Sequence, residues 1–498
     1  MQRAGVRVLK NAGILAAIEV ISKVLGLIVL IMAARRLGVA NYGIIAFAYT
    51  IAEFLNIFVV FGLNTLIVRE VARDLSQTSG TMGNAIIVQS ILALLGFLLL
   101  VILMPIIEPT GAKHQVTYVA GLSLLIYAFI ATFNAFFRAH QAMEYEALVR
   151  LSFSLLRTTL LVGVLLLGYG VLVFVTGDLV AYLGALVVSV SLLRRKIARP
   201  TFTFQPQIWF HMLRKALPFL LMVGMVSLYV GIDIAILSYL KGDEITGLYG
   251  AATKLFYLFA FLPASIAGAI LPVMSKQWTN DDGNKAMLKM YRQTFRLMMV
   301  VALPLTLGMG MLSKPIINLL YGEQFLGAVP ALQIIMIALA LGFLNWASST
   351  TLISMDKERS LLIIVTIGAI FNIVSNLIVI PILGHIGASI TTVLSEGLIL
   401  LVTLYVLRQT LGQLPSKLGL GKFILSGLAM ALFLWLFRDL HVIILILPAA
   451  VVYLGGLIVL RAFSADELRI IQALLPAGLQ QVFIIRSLID RSSSSKKV

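Results

Sequence analysis

Apolar runs of about 20 residues, separated by short polar stretches, recur along almost the whole chain. The hydrocarbon core of a bilayer is about 30 Å thick and takes about 20 residues of helix. The runs therefore predict membrane-spanning helices near 12–33, 41–63, 82–107, 115–137, 151–168, 170–193, 216–240, 246–275, 293–313, 328–354, 360–380, 386–407, 423–437 and 441–460. In lipid every backbone polar group has to be satisfied internally, so such runs are helical. The expected fold class is an all-α polytopic membrane protein with about 14 transmembrane helices. The tightest connection, Gly168, Tyr169, Gly170, joins the fifth span to the sixth.

The polar flanks give an orientation. With the N-terminus inside, the inner segments hold roughly 28 Lys and Arg against 6 outside, a strong positive-inside bias that a wrong span count would scramble. Both termini are then cytoplasmic and the protein is a multi-pass protein of the cytoplasmic membrane. The opening MQRAGVRVLKNAG is basic, but its apolar segment runs past Leu30 without a small-residue cleavage site, so it reads as a retained first span.

The most basic and least apolar internal stretch, Arg194 to Lys215, contains Pro200 and Pro206 and follows six spans. It divides the chain into a six-helix lobe over 1–199, a cytoplasmic linker over 200–215 and a second six-helix lobe over 216–410. Two further helices fill 420–461. An ungapped offset of 207 lays YGIIAFAYTIAEFL, from Tyr42, over YGAATKLFYLFAFL, from Tyr249. Such a parallel repeat places substrate sites near the midplane, between the halves. From Ser464 the segment SADELRII has a capping serine and early acids, followed by Leu468, Ile471, Leu474 and Leu475 at helical spacing. Residues 464–498 therefore read as a surface-lying amphipathic helix with a disordered end.

Composition narrows the chemistry. Hydrophobic residues make up 60% of the 498 and charged residues 12%, about half the charged share of a soluble domain. The net charge of +17 is mostly a topology signal and an attraction to anionic lipids; nothing calls for nucleic acid. There are no cysteines, which excludes disulfides and thiolate chemistry. The five histidines lie singly, without metal-ligand spacing. NDDGN, from Asn280, has the adjacent aspartates of a metal-diphosphate motif, but a lone pair beside glycine is ordinarily a solvated turn. Neither a metal nor a cofactor is expected. Outside the linker and tail every loop is short, so a membrane enzyme with a catalytic loop is not expected either.

Of the ionisable residues inside the spans, seven stand out: Glu19, Lys23, Glu53, Arg157, Asp233, Lys254 and Glu396. A charge at the bilayer centre costs about 2.5–3.5 kcal/mol on insertion scales and usually faces a partner or a watery path. Each also has a plain structural explanation. Glu19 and Lys23 are spaced i, i+4 and can neutralise one another. Arg157 can snorkel to the interface. Lys254 and Asp233 fall at similar depth on neighbouring spans and can pair. Glu53 and Glu396 sit mid-span as hydrogen-bonders or proton-coupling sites. Pro218, Pro263, Pro272, Pro304 and Pro381 fall where they can kink helices.

SKVLG, from Ser22, leads to ARRLGVANYG, ending at Gly43. LPFLLMVGM follows from Leu217, GIDIAIL from Gly231, GDEITGLYGAATKL from Gly242, and ILPVMSK closes at Lys276. In order and spacing, over nearly the whole chain, these resemble the polysaccharide repeat-unit flippases of the multidrug, oligosaccharidyl-lipid and polysaccharide exporter superfamily. The resemblance implies a MATE-like exporter fold: two six-helix lobes around a central cavity that opens alternately to each side, here with two extra helices. It implies a polyprenyl-diphosphate-linked oligosaccharide as cargo, membrane lipids as surroundings, and glycosyltransferases and a polymerase of the same pathway as partners.

Peptidoglycan-precursor flippases share part of the pattern: SKVLG resembles their SRxLG, and Lys254 matches a basic residue 22 positions before the closing lysine. Their second first-span arginine would fall near Val29, a departure that argues against that cargo. Lys23 and Lys254 are left as the carried-over cavity cations, with Arg157 as a third. On helical rise, Arg157 lies about 10 Å and Lys23 about 16 Å in from the cytoplasmic side, with Lys254 nearer the outer face. The expected picture is a stepped cationic path for the diphosphate, with Asp233, Glu19, Glu53 and Glu396 as coupling or gating carboxylates. Coupling to a proton or sodium gradient stays open. The rival is an ion-coupled multidrug exporter of the same superfamily, with a carboxylate as coupling site and a cationic drug as cargo.

Overall fold

In the computed structural model, residues 2–202, 204–278, 283–415 and 418–463 are described. The NDDGN aspartates and the tail from Ser464 lie outside them. The described residues form α-helices joined by short turns, with no strand among them. In chain order the helices are α1 (Gln2–Val60), α2 (Leu63–Arg73), α3 (Thr78–Ile107), α4 (His114–Ala139), α5 (Met143–Leu166), α6 (Val171–Lys196) and α7 (Pro206–Trp278). There follow α8 (Gly283–Met311), α9 (Ser313–Tyr321), α10 (Val329–Ser354), α11 (Glu358–Leu411), α12 (Gly421–Leu436) and α13 (Val442–Val459).

Among the described residues ten helical stretches are long and apolar enough to cross a membrane, and α12 is a shorter apolar helix. Three helices are broken inside by a glycine out of helical geometry: α1 at Gly38, α7 at Gly242 and α11 at Gly384. Each break falls in a gap between two expected spans. The chain is an all-α, multi-pass membrane protein.

The first two breaks correct the register of the repeat. Gly38 has φ 81° and Gly242 φ 79°, a left-handed conformation open chiefly to glycine. Five residues beyond each break is another glycine, and these two sit at a close helix crossing. A Cβ on Gly43 would lie 1.9 Å from the Asp243 carbonyl oxygen, and one on Gly247 would lie 2.1 Å from that of Val39. Both pairs are related by 204 residues, three fewer than the offset drawn from Tyr42 and Tyr249. Backbone geometry, which admits only glycine, fixes the register more firmly than matched aromatic residues do.

Packing divides the chain into two compact units. Of the described residues, the first holds those up to Ala251 with Leu320–Gly327 and Asn372–Ala388; the second holds those of Ala252–Leu319 and Ala328–Phe371 and those from Ser389 to Phe463. Residues 216–251, placed by the repeat in the second lobe, pack with the first unit. Lobes describe the repeat, units the packing. In the first unit α1 packs on α4 and α5, while α6 packs on α4 and α5. One apolar cluster gathers Leu63, Ile67, Phe133, Phe136 and Phe137; another gathers Val29, Ala33, Val116, Leu161 and Val175. In the second unit α8 packs on α10, and α12 packs on both α13 and α8.

Two boundaries differ from the sequence reading in ways that matter for the site. Helix α5 starts at Met143, eight residues before its expected span. Glu146 and Arg150 thereby become helical, one turn apart, and their ion pair at 3.6 Å gives those polar residues a partner inside the fold. Helix α7 starts at Pro206, inside the expected linker. The remaining connection is docked: Thr201 donates its N–H to the Ser79 carbonyl at 3.0 Å, and Trp209 donates its indole N–H to Asn84 at 2.8 Å.

Candidate functional site: a cationic cavity in the first unit

Three helices of the first unit carry polar stripes at helical spacing. On α1 these are Glu19, Ser22, Lys23 and Gly26; on α4, Tyr127, Ala131, Asn134 and Arg138; on α5, Arg150, Ser154, Arg157 and Thr158. Residues three or four apart share one helix face, and the three faces converge on a cavity of about 420 Å³. Asn64 of α2 and Tyr182 of α6 complete the wall. Ser154 donates to Ser22 at 2.8 Å, which fastens α5 to α1 beside the opening.

Four cations and one acid line this space: Lys23, Arg138, Arg150 and Arg157 with Glu19. Two further carboxylates sit behind the wall, Glu146 at 2% exposure and Asp178 at 1%. Arg138 forks onto Glu146, its Nε and Nη2 donating at 2.7 and 2.6 Å. Arg157 forks onto Asp178 at 2.5 and 3.2 Å, and the Tyr49 hydroxyl donates to the same carboxylate. Lys23 lies 3.8 Å from Glu19, to which Arg150 also donates. Lys23 and Arg150 thus share Glu19, and Arg150 also reaches Glu146 at 3.6 Å. The side chains of Lys23, Arg138, Arg150 and Arg157 all keep 29–48% of their surface open. Glu19 is itself 40% exposed, so Lys23 and Arg150 can exchange it for another anion without leaving their helices.

Glu19, Lys23 and Arg157 are therefore brought together, whereas the other singled-out residues lie elsewhere. Glu53, on α1, is exposed and is not among the lining residues, although its charge is felt by the lining Tyr127 and Tyr182. Asp233 is buried in the first unit, accepting from the Tyr249 hydroxyl and, at 2.8 Å, from the Ile234 N–H. Lys254 belongs to the second unit, as does Glu396, whose carboxylate accepts from the Asn345 amide at 2.6 Å. Arg138, Arg150 and Asp178 escaped the sequence reading. The two arginines fall just outside the expected spans 115–137 and 151–168, although they continue the stripes of α4 and α5. Asp178 lies nine residues beyond the Tyr169 turn and Arg157 twelve before it; in a tight antiparallel hairpin that places them opposite one another.

A family model described as polysaccharide biosynthesis protein matches residues 8–278, more than half of the chain and all of the helices that build the cavity. The chain belongs to this family. A second model, MatE, matches residues 218–378. Among relatives, the probable flippase AglR of Haloferax volcanii is 24% identical over 477 residues, covering 90% of this chain and 94% of its own. Among solved structures, the lipid II flippase MurJ, in an inward closed conformation, superposes with a TM-score of 0.72 at 17% identity, over 89% of this chain and 97% of its own. An inward-facing multidrug resistance transporter of the MATE family gives 0.65 at 17%, over 78% and 94%. These likenesses establish the MATE-like fold that the motifs from Ser22 to Lys276 imply.

Proposed function

We propose that this protein flips a polyprenyl-diphosphate-linked oligosaccharide across the cytoplasmic membrane by alternating access, for assembly of a surface polysaccharide or glycan. The observation that carries the reading is the charge of the first-unit cavity, where four cations meet one lining acid. A diphosphate bears about two negative charges, and an uncompensated anion in a low-dielectric medium costs tens of kcal/mol by Born solvation. Arginine answers that cost best, because its planar fork binds two phosphate oxygens at once. Arg157 is committed to Asp178 and holds the deep end of the cavity in shape. Lys23 and Arg150, sharing Glu19, are the pair that captures the diphosphate while the prenyl tail stays in lipid.

The family description and the flippase relative support the pathway. Lys254, brought in by its place before ILPVMSK, serves a later step of the same transfer. Asp233, Glu53 and Glu396 are the carboxylates through which a proton or sodium gradient would be coupled. Fourteen spans, cytoplasmic termini, and glycosyltransferases and a polymerase as partners belong to the same proposal.

A multidrug exporter shares the fold, but a cationic drug calls for an acidic or apolar cavity, the reverse of this one. A peptidoglycan-precursor flippase would carry a second first-span arginine near Val29. That residue is 2% exposed and packs with Ala33 and Leu161. Replacing Lys23 and Arg150 together by Gln removes two charge-assisted contacts of about 1.5–3 kcal/mol each. Transfer of a polyprenyl-diphosphate oligosaccharide in proteoliposomes should fall at least about a hundredfold, and the lipid should accumulate on the cytoplasmic face of cells. Unchanged transfer sinks the proposal.

A further inference from the structure

The cavity holds more than a diphosphate needs. Its volume of about 420 Å³ lies in the range of about 300–1,000 Å³ that takes a drug-sized ligand. The cations occupy one part of its wall. Another part is aromatic: Phe153 and Tyr182 stack with centroids 4.3 Å apart, and Tyr127 lies 5.8 Å from Tyr182. Asn134 lines the same cavity, one helical turn from Arg138. Its side-chain oxygen is buried and has no hydrogen-bond donor. The neighbouring polar groups are engaged: Asn64 accepts from Thr132 at 3.1 Å, and Ser22 accepts from Ser154.

Among the described residues it is one of twelve buried side-chain polar atoms without a hydrogen-bond partner, and of these it alone belongs to a residue lining the cavity; a buried acceptor without a donor marks a place where a partner is missing. An amide oxygen repels phosphate oxygens, so the diphosphate is not that partner. It calls for an O–H or N–H held close to the cations, beside a wall suited to a flat face of C–H groups. A hexose or N-acetylhexosamine linked directly to the diphosphate has both features.

We propose that Asn134 is a specificity-determining residue that accepts a hydrogen bond from a hydroxyl or acetamido N–H of the first sugar, which packs against Tyr127, Phe153 and Tyr182. This rests on the lipid-diphosphate reading above. It assigns Asn134 to the sugar and leaves the lipid phosphate to the cations.

The test uses full-length protein in nanodiscs and three probes: a polyprenyl monophosphate, the polyprenyl diphosphate, and that diphosphate bearing one N-acetylhexosamine. Wild-type protein should bind the sugar-bearing lipid about five- to tenfold more tightly than the bare diphosphate, the worth of one neutral hydrogen bond. Asn134→Ala should erase that gain while binding the bare diphosphate as before, which also shows that it is folded. Asn134→Thr, which restores a small acceptor, should recover part of the gain. A wild-type protein that gains nothing from the sugar overturns the role of Asn134 and leaves the diphosphate reading standing. So does an Asn134→Ala variant that keeps the gain, or one that loses both diphosphate probes equally. A wild-type protein that does not prefer diphosphate to monophosphate overturns the underlying reading, and the sugar site with it.

Discussion

Arg157 and Asp178 show what a membrane charge requires. Alone, Arg157 would be expensive at its depth. Forked onto a carboxylate at 1% exposure, which also accepts from Tyr49, it becomes part of the fold. Removing one partner of a buried pair costs about 3–5 kcal/mol because the other charge is left uncompensated, whereas replacing both is far milder. Asp178→Asn should therefore lower the thermal unfolding temperature of the solubilised protein markedly, and adding Arg157→Met should restore most of it. Equal temperatures for Asp178→Asn and wild type would show that the pair contributes nothing. This partnership was readable in principle, since the Gly168 to Gly170 turn sets the two positions opposite. The sharing of Glu19 by Lys23 and Arg150 was not, because it joins residues 131 apart in sequence.

At the scale of elements, the cavity is made of helix faces that are polar at a period of 3.6 inside helices that are otherwise apolar. A span count by mean hydropathy averages these stripes away, which is why Arg138 and Arg150 passed for loop residues. The crossing near the α1 and α7 breaks obeys a different constraint. It depends on the absence of side chains at Gly43 and Gly247, and Lys113 braces it, binding Asp243 at 2.5 Å and Ser238 at 2.8 Å with its ammonium over Phe47. Gly43→Ala would drive a methyl group into the Asp243 carbonyl. It should sharply reduce the monodisperse fraction on size-exclusion chromatography. Gly163→Ala, where a Cβ meets nothing within 4 Å, should leave that fraction unchanged and add up to about 0.5–1 kcal/mol of stability.

At the scale of the molecule, the C-terminal helix pair has an anchor that no motif announced. Arg296 of α8 is 7% exposed. It donates to the Leu418 carbonyl before α12 at 2.8 Å and to the Ala462 carbonyl after α13 at 2.5 Å, and its guanidinium lies 5.0 Å from the Phe423 ring centre. Arg296→Met should loosen both ends of the pair, and trypsin should cut at Lys422 several-fold faster while cuts in the first unit keep their rate. An unaltered digest would remove the anchoring role. The sequence by itself determined the all-α membrane class, most of the helices with their approximate limits and, through its motifs, the family, because bilayer thickness and backbone hydrogen bonding convert composition directly into apolar helices. It also exposed charges in need of partners. Only the tertiary structure decided which partners they have, that Lys23 and Arg157 share a cavity with Arg138 and Arg150, and that the buried side-chain oxygen of Asn134, on the same cavity wall, has no donor. Those outcomes depend on how separate helices rotate their faces toward one another, and mean hydropathy carries no record of rotation.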